Sequence, residues 1–383
     1  MPALDDVLVA DFTRVLAGPY ATMLLADLGA QVIKVERPGA GDDTRAWGPP
    51  YAPNGQATYF QAVNRNKASV TLDLDDSADL ELARELCDRA DVVIHNFRVG
   101  AMERRGLGYD DLRHTHPGLV YCAISGFGGG AGADLPGYDL LVQAVGGLMD
   151  ITGEPGAPTK VGVAIVDVVT GLHAAIGVLA ALHARAATGQ GQQIEVTLLG
   201  SLLSSLVNQA SAYVGAGVVP AALGNAHPSI APYQPLPTAD RPVVVAVGND
   251  GQFRRMCAAL GHPQWADDER FRTNPARVAH REVLTAELTQ VLATRDAAHW
   301  QRVLTAVGVP CGPINTVEGA FRLADEVGLP GAVEFEPPAE LRTTANPIAM
   351  SGTPVAYRRP SPDLGADDAA VRAWLAAAPG ADA

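Results

Sequence analysis

The chain has 383 residues, 48% of them hydrophobic and 18% charged, which is long enough for two or three domains and too apolar for global disorder. The formal charge of −14 makes nucleic acid or an anionic membrane a poor partner, although a few local Arg and Lys side chains are enough to bind an anionic small molecule. The four cysteines, Cys87, Cys122, Cys257 and Cys311, are scattered without a Cys-x-x-Cys pair, so they read as reduced thiols of a cytoplasmic protein, with no zinc site.

In chain order, Val7–Phe12 is a short apolar strand, Pro19–Leu28 has helical spacing, and Gln31–Glu36 alternates as a second strand. The N-terminal residues run straight into that first strand with no basic region, which argues against a signal peptide. Ala68–Leu74, Val92–His95 and Leu119–Ile124 read as further strands, with a helix over Asp79–Arg89. Strands alternating with helices predict a parallel sheet covered on both faces. Asp167–Thr188 reads as a long apolar helix, Gln192–Leu198 as a strand and Leu199–Ala216 as one more helix; apolar runs such as Ala174–Leu182 are short for a membrane span. The proline-rich stretch from Val218 to Pro242 marks a change of domain. Beyond it, a strand at Pro242–Val247 and helices at Gln252–Leu260, Arg281–Arg295 and Ala298–Val307 predict a smaller α+β domain. The boundaries expected are 1–216, 217–328 and 329–383, with a short helix at Ala366–Ala377 and a loosely ordered Ala/Asp-rich tail.

Several residues admit two readings. Asp167, between an apolar run and an apolar helix, suits a helix N-cap first, and a positioned carboxylate nucleophile is compatible with that. The segment from Val243 to Phe253 (VVVAVGNDGQF) is a strand ending in an Asn-Asp-Gly turn, or a flexible glycine loop whose N–H groups meet a charged intermediate. Tyr138 would ordinarily be a core tyrosine and His227 a structural histidine in a proline-rich crossing. No GxGxxG follows the first strand, no Gly-x-Ser-x-Gly elbow occurs and there is no Walker A loop, which excludes a standard dinucleotide site, an α/β-hydrolase and a P-loop NTPase.

Taken in order, the stretches DFTRVLAGP at 11–19, ADLGAQVIKVERPGAGDDTR at 26–45, NRNKASVTLDL at 64–74, HNFRVGAMERRGLG at 95–108, PGYDLLVQAVGGLMDITGEPGAP at 136–158, KVGVAIVDVVTG at 160–171, VGNDGQF at 247–253 and VGVPCGPIN at 307–315 resemble the family III CoA-transferases (the CaiB/BaiF family). LGNAHPSIAPYQ, from Leu223, resembles the succinate–hydroxymethylglutarate CoA-transferase branch. The resemblance implies a large Rossmann-like domain, a smaller domain, a C-terminal segment returning to the first, and two chains interlocked as rings in a homodimer. It implies no permanently bound cofactor, coenzyme A and acyl-CoA as substrates, and a small carboxylic acid as acceptor. Asp167 matches the family's nucleophile, and Tyr138 and the loop Gly248, Asn249, Asp250, Gly251 its catalytic surroundings. Arg37, Leu72, Leu74, Asn96, Arg98 and Arg104 match positions that hold CoA, while Leu16, Asp139 and His227 match positions near the acyl groups. Leu16 replaces the glutamine of the formyl-CoA enzyme, which argues against a formate–oxalate pair. An α-methylacyl-CoA racemase is the nearest rival, opposed by Tyr138 where that enzyme's His would stand; a non-catalytic CoA-binding protein is another.

Overall fold

The computed structural model of the chain describes residues 2–335 and 341–377. They form two compact units, one made of the chain up to Leu148, Val161–Val218 and the chain from Leu329 onward, the other of Met149–Lys160 and Val219–Gly328.

The first unit is built on β1 (Leu8–Phe12), β2 (Gln31–Glu36), β3 (Lys67–Thr71), β4 (Val92–His95), β5 (Val120–Ser125) and β6 (Gln192–Thr197). All pairings are parallel, in the order β3-β2-β1-β4-β5-β6. Successive side chains on a strand point to opposite faces, so Val9 of β1 enters one core and Ala10 the other. The Val9 side is filled by α1 (Ala17–Asp27) and α6 (Ile165–Thr188), the Ala10 side by α3 (Ser77–Arg89) and the C-terminal helix. Burial on both faces is why these strands read as apolar runs. Short helices α2 (Thr58–Gln61) and α4 (Tyr109–Leu112), then α5 (Asp139–Val145), α7 (Leu198–Ser205) and α8 (Val207–Ala216), complete this part. The single helix expected over Leu199–Ala216 is two, because Val207 takes a φ of 40° and interrupts the ladder; apolar spacing continues across the break and gives no sign of it.

The chain winds outward from β1 in one direction through β2 and β3, then returns to β4 beside β1 and continues the other way. The switch point of the sheet therefore lies between β1 and β4, where open α/β sheets leave a crevice beyond the strands' carboxyl ends. Helix α6 crosses α1 closely at Gly171, where a Cβ would stand 2.5 Å from the carbonyl oxygen of Ala17. That contact requires glycine, and it sets Asp167, one turn earlier on α6, beside the start of α1. By composition α6 is long and apolar enough to cross a membrane, beyond what the shorter apolar runs suggested, but Val166, Ala174, Ala175, Val178 and Ala181 are buried in the core.

The second unit carries the antiparallel strands β7 (Tyr233–Leu236), β8 (Val243–Ala246) and β9 (Cys311–Pro313), with β8 central. Helices α9 (Asp250–Ala259), α10 (Asn274–Ala279), α11 (Arg281–Leu292), α12 (Ala297–Ala306) and α13 (Val317–Glu326) accompany them around Phe253, Phe271, Leu288 and Trp300.

The C-terminal part adds a β10 (Ala332–Glu334) and β11 (Arg342–Thr344) pair and α14 (Asp368–Ala376) to the first unit. It seals the edge strand β3: the N–H of Ser69 donates to Asp367 (2.9 Å), the Asp367 N–H to the Ser69 carbonyl (3.0 Å), and the Thr71 N–H to Asp368 (2.6 Å). An open edge is thereby closed by carboxylates rather than by another strand. The tail beyond residue 377 lies outside the described residues.

Candidate active site

Asp167 is the third residue of α6, and Ala164, not Asp167, precedes the helix. The capping expected of Asp167 is done by Asp139: its Oδ1 accepts the N–H groups of Val166 (2.8 Å) and Asp167 (3.2 Å), and its Oδ2 accepts the side-chain amide of Gln143 (2.6 Å). Helix starts leave such N–H groups unpaired, so a carboxylate from the neighbouring α5 is a suitable partner. Among the described residues, the side chain of Asp167 has no hydrogen-bond or ion-pair partner. Partial burial, followed by the charge of Asp139, raises its pKa to about 7. Asp139, expected against the acyl group, has both oxygens committed to this scaffold instead.

Asp167 borders a cavity of about 570 Å³ together with Leu16, Asn96, Arg98, Arg104 and Tyr138. A smaller cavity of about 130 Å³ is bordered by Arg37, Leu72 and Leu74 along with Phe12, Val35 and Met102. Tyr138 is 63% exposed, so it is no core tyrosine. Arg37 is paired with Asp43 (2.8 Å) and Arg105 with Asp75 (2.5 Å). Among the described residues, Arg14, Arg98 and Arg104 at the larger cavity have no carboxylate within ion-pair distance.

The β1–α1 connection, which forms one wall, is held peptide by peptide. Thr13 donates its N–H to Asp11 (2.9 Å) and accepts from Lys34 (2.8 Å). Asn96 accepts from the N–H of Arg14 (2.9 Å) and donates to its carbonyl (2.7 Å). The N–H of Val15 donates to Asp42 (3.2 Å). Lys34 and Asp42 are a fully buried pair (3.0 Å), as are Lys67 and Asp11 (3.1 Å). These groups hold Val15 at a φ of 70°, a costly conformation for a β-branched residue. Asn96, expected to bind CoA, spends its amide on Arg14.

Two residues here carried no sequence signal. Arg14 sits in an ordinary-looking turn and becomes notable only once the sheet's switch point is known. Tyr59, on α2, has its phenol pKa raised by burial and then by the charges of Asp167, Asp139 and Asp42; its ring stands edge-on to Trp47, centroids 5.4 Å apart. A lone aromatic in a short helix has no distinguishing pattern.

In the second unit, Gly248, Asn249, Asp250 and Gly251 form the tight entry to α9. Asn249 caps the helix by accepting the N–H of Gln252 (2.9 Å), the Gly248 N–H donates to the Gln252 side chain (2.8 Å), and Asp250 is gripped by Arg277 (2.8 Å). The capped turn, rather than a loose loop, is what forms here. His227 accepts the N–H of Ser229 at Nδ1 (3.1 Å), which leaves the proton of its neutral ring on Nε2.

The model of the family described as CoA-transferase family III matches residues 4–368. The chain belongs to CoA-transferase family III. Among its relatives, a succinate–glutarate CoA-transferase of Agrobacterium fabrum is 46% identical over 98% of this chain and 96% of its own length. An acetyl-CoA:oxalate CoA-transferase of Acetobacter aceti is 39% identical over 97% and 96%. The crystal structure of a CAIB/BAIF family protein from Brucella suis superimposes with a TM-score of 0.86 at 43% identity, covering 98% of this chain and 99% of that one. As a family III CoA-transferase, the protein is an enzyme with CoA thioesters as substrates, and the expected mixed α/β fold with a parallel sheet is the one it has.

Proposed function

We propose that this CoA-transferase moves CoA from succinyl-CoA to a small dicarboxylic acid through covalent intermediates on Asp167. The observation that carries the reading is a half-buried carboxylate bordering a cavity that also presents three arginines, all four without an ion-pair partner among the described residues. The similarity to a succinate–glutarate enzyme supports the acid pair.

In this reading the adenine end of CoA occupies the smaller cavity, against Leu72 and Leu74, with Arg37 at its rim. The thioester reaches Asp167 in the larger one. Ionised Asp167 attacks the thioester carbonyl; the C–S bond breaks, giving an aspartyl–succinyl anhydride and CoA thiolate. The thiolate attacks the aspartyl carbonyl and expels succinate, leaving an enzyme–CoA thioester. The acceptor carboxylate attacks that thioester to form a second anhydride, and the released thiolate takes the acceptor's acyl group, freeing Asp167. One thioester replaces another, so no ATP is needed. Each addition creates an oxyanion, which favours nearby N–H donors and exclusion of water. In this reading Tyr138, which is exposed, donates to the thioester or anhydride oxygen. We assign the N–H groups at Asn249–Gly251 to the same task, supported by the room at Gly248 and Gly251, where a Cβ would meet only side-chain tips at 3.4 and 3.3 Å. Their own unit does not demand glycine there, whereas close approach of a ligand does. Leu16 would face the acyl group, and the Nε2–H of His227 would hold the acceptor's distal carboxylate.

We also assign a homodimer. Helices α8 and α13 bury no residue within the chain, and Val207, Tyr213, Val214, Val317 and Val327 are each at least 60% exposed.

The test is a mass-spectrometric screen of succinyl-CoA with mono- and dicarboxylic acids, oxalate included. New dicarboxyl-CoA products from the native enzyme and none from Asp167→Ala support the reading. Equal turnover by Asp167→Ala overturns the nucleophile, and products with monocarboxylic acids alone overturn the acceptor class. Loss of acceptor affinity in His227→Ala, with succinyl-CoA affinity retained, is expected; unchanged affinity sinks that contact.

A further inference from the structure

We propose that Arg14 is the cation that receives the diphosphate of coenzyme A, and that Asn96 acts through it as a positioning residue. The inference rests on the placement of CoA proposed above. Among the described residues, Arg14 and Phe97 alone border both cavities. Coenzyme A is a linear molecule with its nucleotide at one end, its thioester at the other and the diphosphate between. A molecule with its adenine against Leu72 and its thioester at Asp167 must pass its diphosphate by Arg14.

The side chain is prepared for that anion. Its guanidinium has no carboxylate within ion-pair distance among the described residues and lies over the Phe97 ring, 4.9 Å from the centroid. Its backbone is gripped on both sides by Asn96, with N–H to Oδ1 at 2.9 Å and Nδ2 to carbonyl at 2.7 Å. Phe12 of β1 and His95 of β4 are in register, so Arg14 and Asn96 leave adjacent strands at the sheet's switch point. The Asn96 clamp ties the two connections together there, and Phe97 on one supports the side chain of the other. A cation fixed this way meets an anion with little ordering cost.

Isothermal calorimetry of CoA and dephospho-CoA, which keeps the diphosphate and lacks the 3′-phosphate, tests this independently of the acid pair. Arg14→Gln should weaken both ligands by the same factor, on the order of 10–100-fold for a lost charge-assisted contact. Arg14→Lys should recover part of it. Asn96→Ala should weaken both in the same way, and Arg14→Gln combined with Asn96→Ala should be no weaker than Arg14→Gln alone. Weakening of CoA with dephospho-CoA unaffected would place the 3′-phosphate at Arg14 and overturn the assignment. So would unchanged affinity in both Arg14 variants at full folding, read by thermal melting. Additive losses in the double variant would overturn the role of Asn96. Wild-type binding of CoA without transfer from succinyl-CoA would remove the proposed donor and leave Arg14 standing.

Discussion

Asp139 accepts the backbone N–H of Asp167 at 3.2 Å while its charge opposes the ionisation of the Asp167 side chain. One carboxylate thus fixes the backbone of the other and raises its pKa. Burial is the larger cause and Asp139 the smaller, and together they bring Asp167 to about 7. The rate of transfer at limiting acyl-CoA should rise with pH through that value. Asp139→Asn keeps an oxygen for the two N–H groups and removes the charge, so the ascending limb should move to lower pH yet stay above the ordinary carboxylate value. A limb that does not move would show that Asp139 has no electrostatic hold on the nucleophile.

Loss of Asp167 should separate activity from stability. Asp167→Asn should lower turnover by at least about 10³-fold. Because the folded pKa is raised, the native state holds a proton that the unfolded state has released between about pH 4 and pH 7, and stability falls as pH rises across that window. A neutral Asn escapes this cost, so the variant should be more stable at pH 8 by about 1–3 kcal/mol. Urea midpoints at pH 8 and pH 4.5 check it, with the gain expected only at the higher pH.

His95 carries the opposite dependence. Both its ring nitrogens are buried without a partner among the described residues, and burial lowers its pKa to about 4. The unfolded state binds the proton first as pH falls, so stability is lost from about pH 6.5 downward until the folded group titrates near 4. Between pH 7 and pH 5 this amounts to about 2 kcal/mol. The same measurement on His95→Phe should show a correspondingly shallower loss.

Arg277 is fully buried and donates to the carbonyls of Ala231 (2.7 Å) and Phe271 (2.9 Å) as well as to Asp250. Arg277→Met leaves those carbonyls without their donor and should cost about 2–4 kcal/mol. Hydrogen exchange should rise at Asn249–Gly251 and around Ala231 together, since one side chain holds both.

The exposed face of α8 gives a test of assembly. Sedimentation of the native protein should give the mass of two chains, and Val214→Lys, at a residue 83% exposed, should shift it toward one. A native protein sedimenting as a single chain would remove the homodimer.

The apolar runs of β1, β2, β4 and β5 carried the fold class, and the resemblance in motif order carried the family and raised Asp167, Leu72 and Arg104 as expectations, because strand and helix periods and motif order are properties of the linear chain. What Asp139, Asn96 and Arg14 do was decided only in three dimensions. Asp139 takes the cap expected of Asp167 because α5 is brought against the start of α6, and Asn96 reaches Arg14, 82 residues earlier, because β1 and β4 are neighbours in the sheet. Side-chain amides and carboxylates act over about 3 Å. Which partners come within that reach depends on strand order and helix crossing, and those are settled by the packing of segments far apart in the chain.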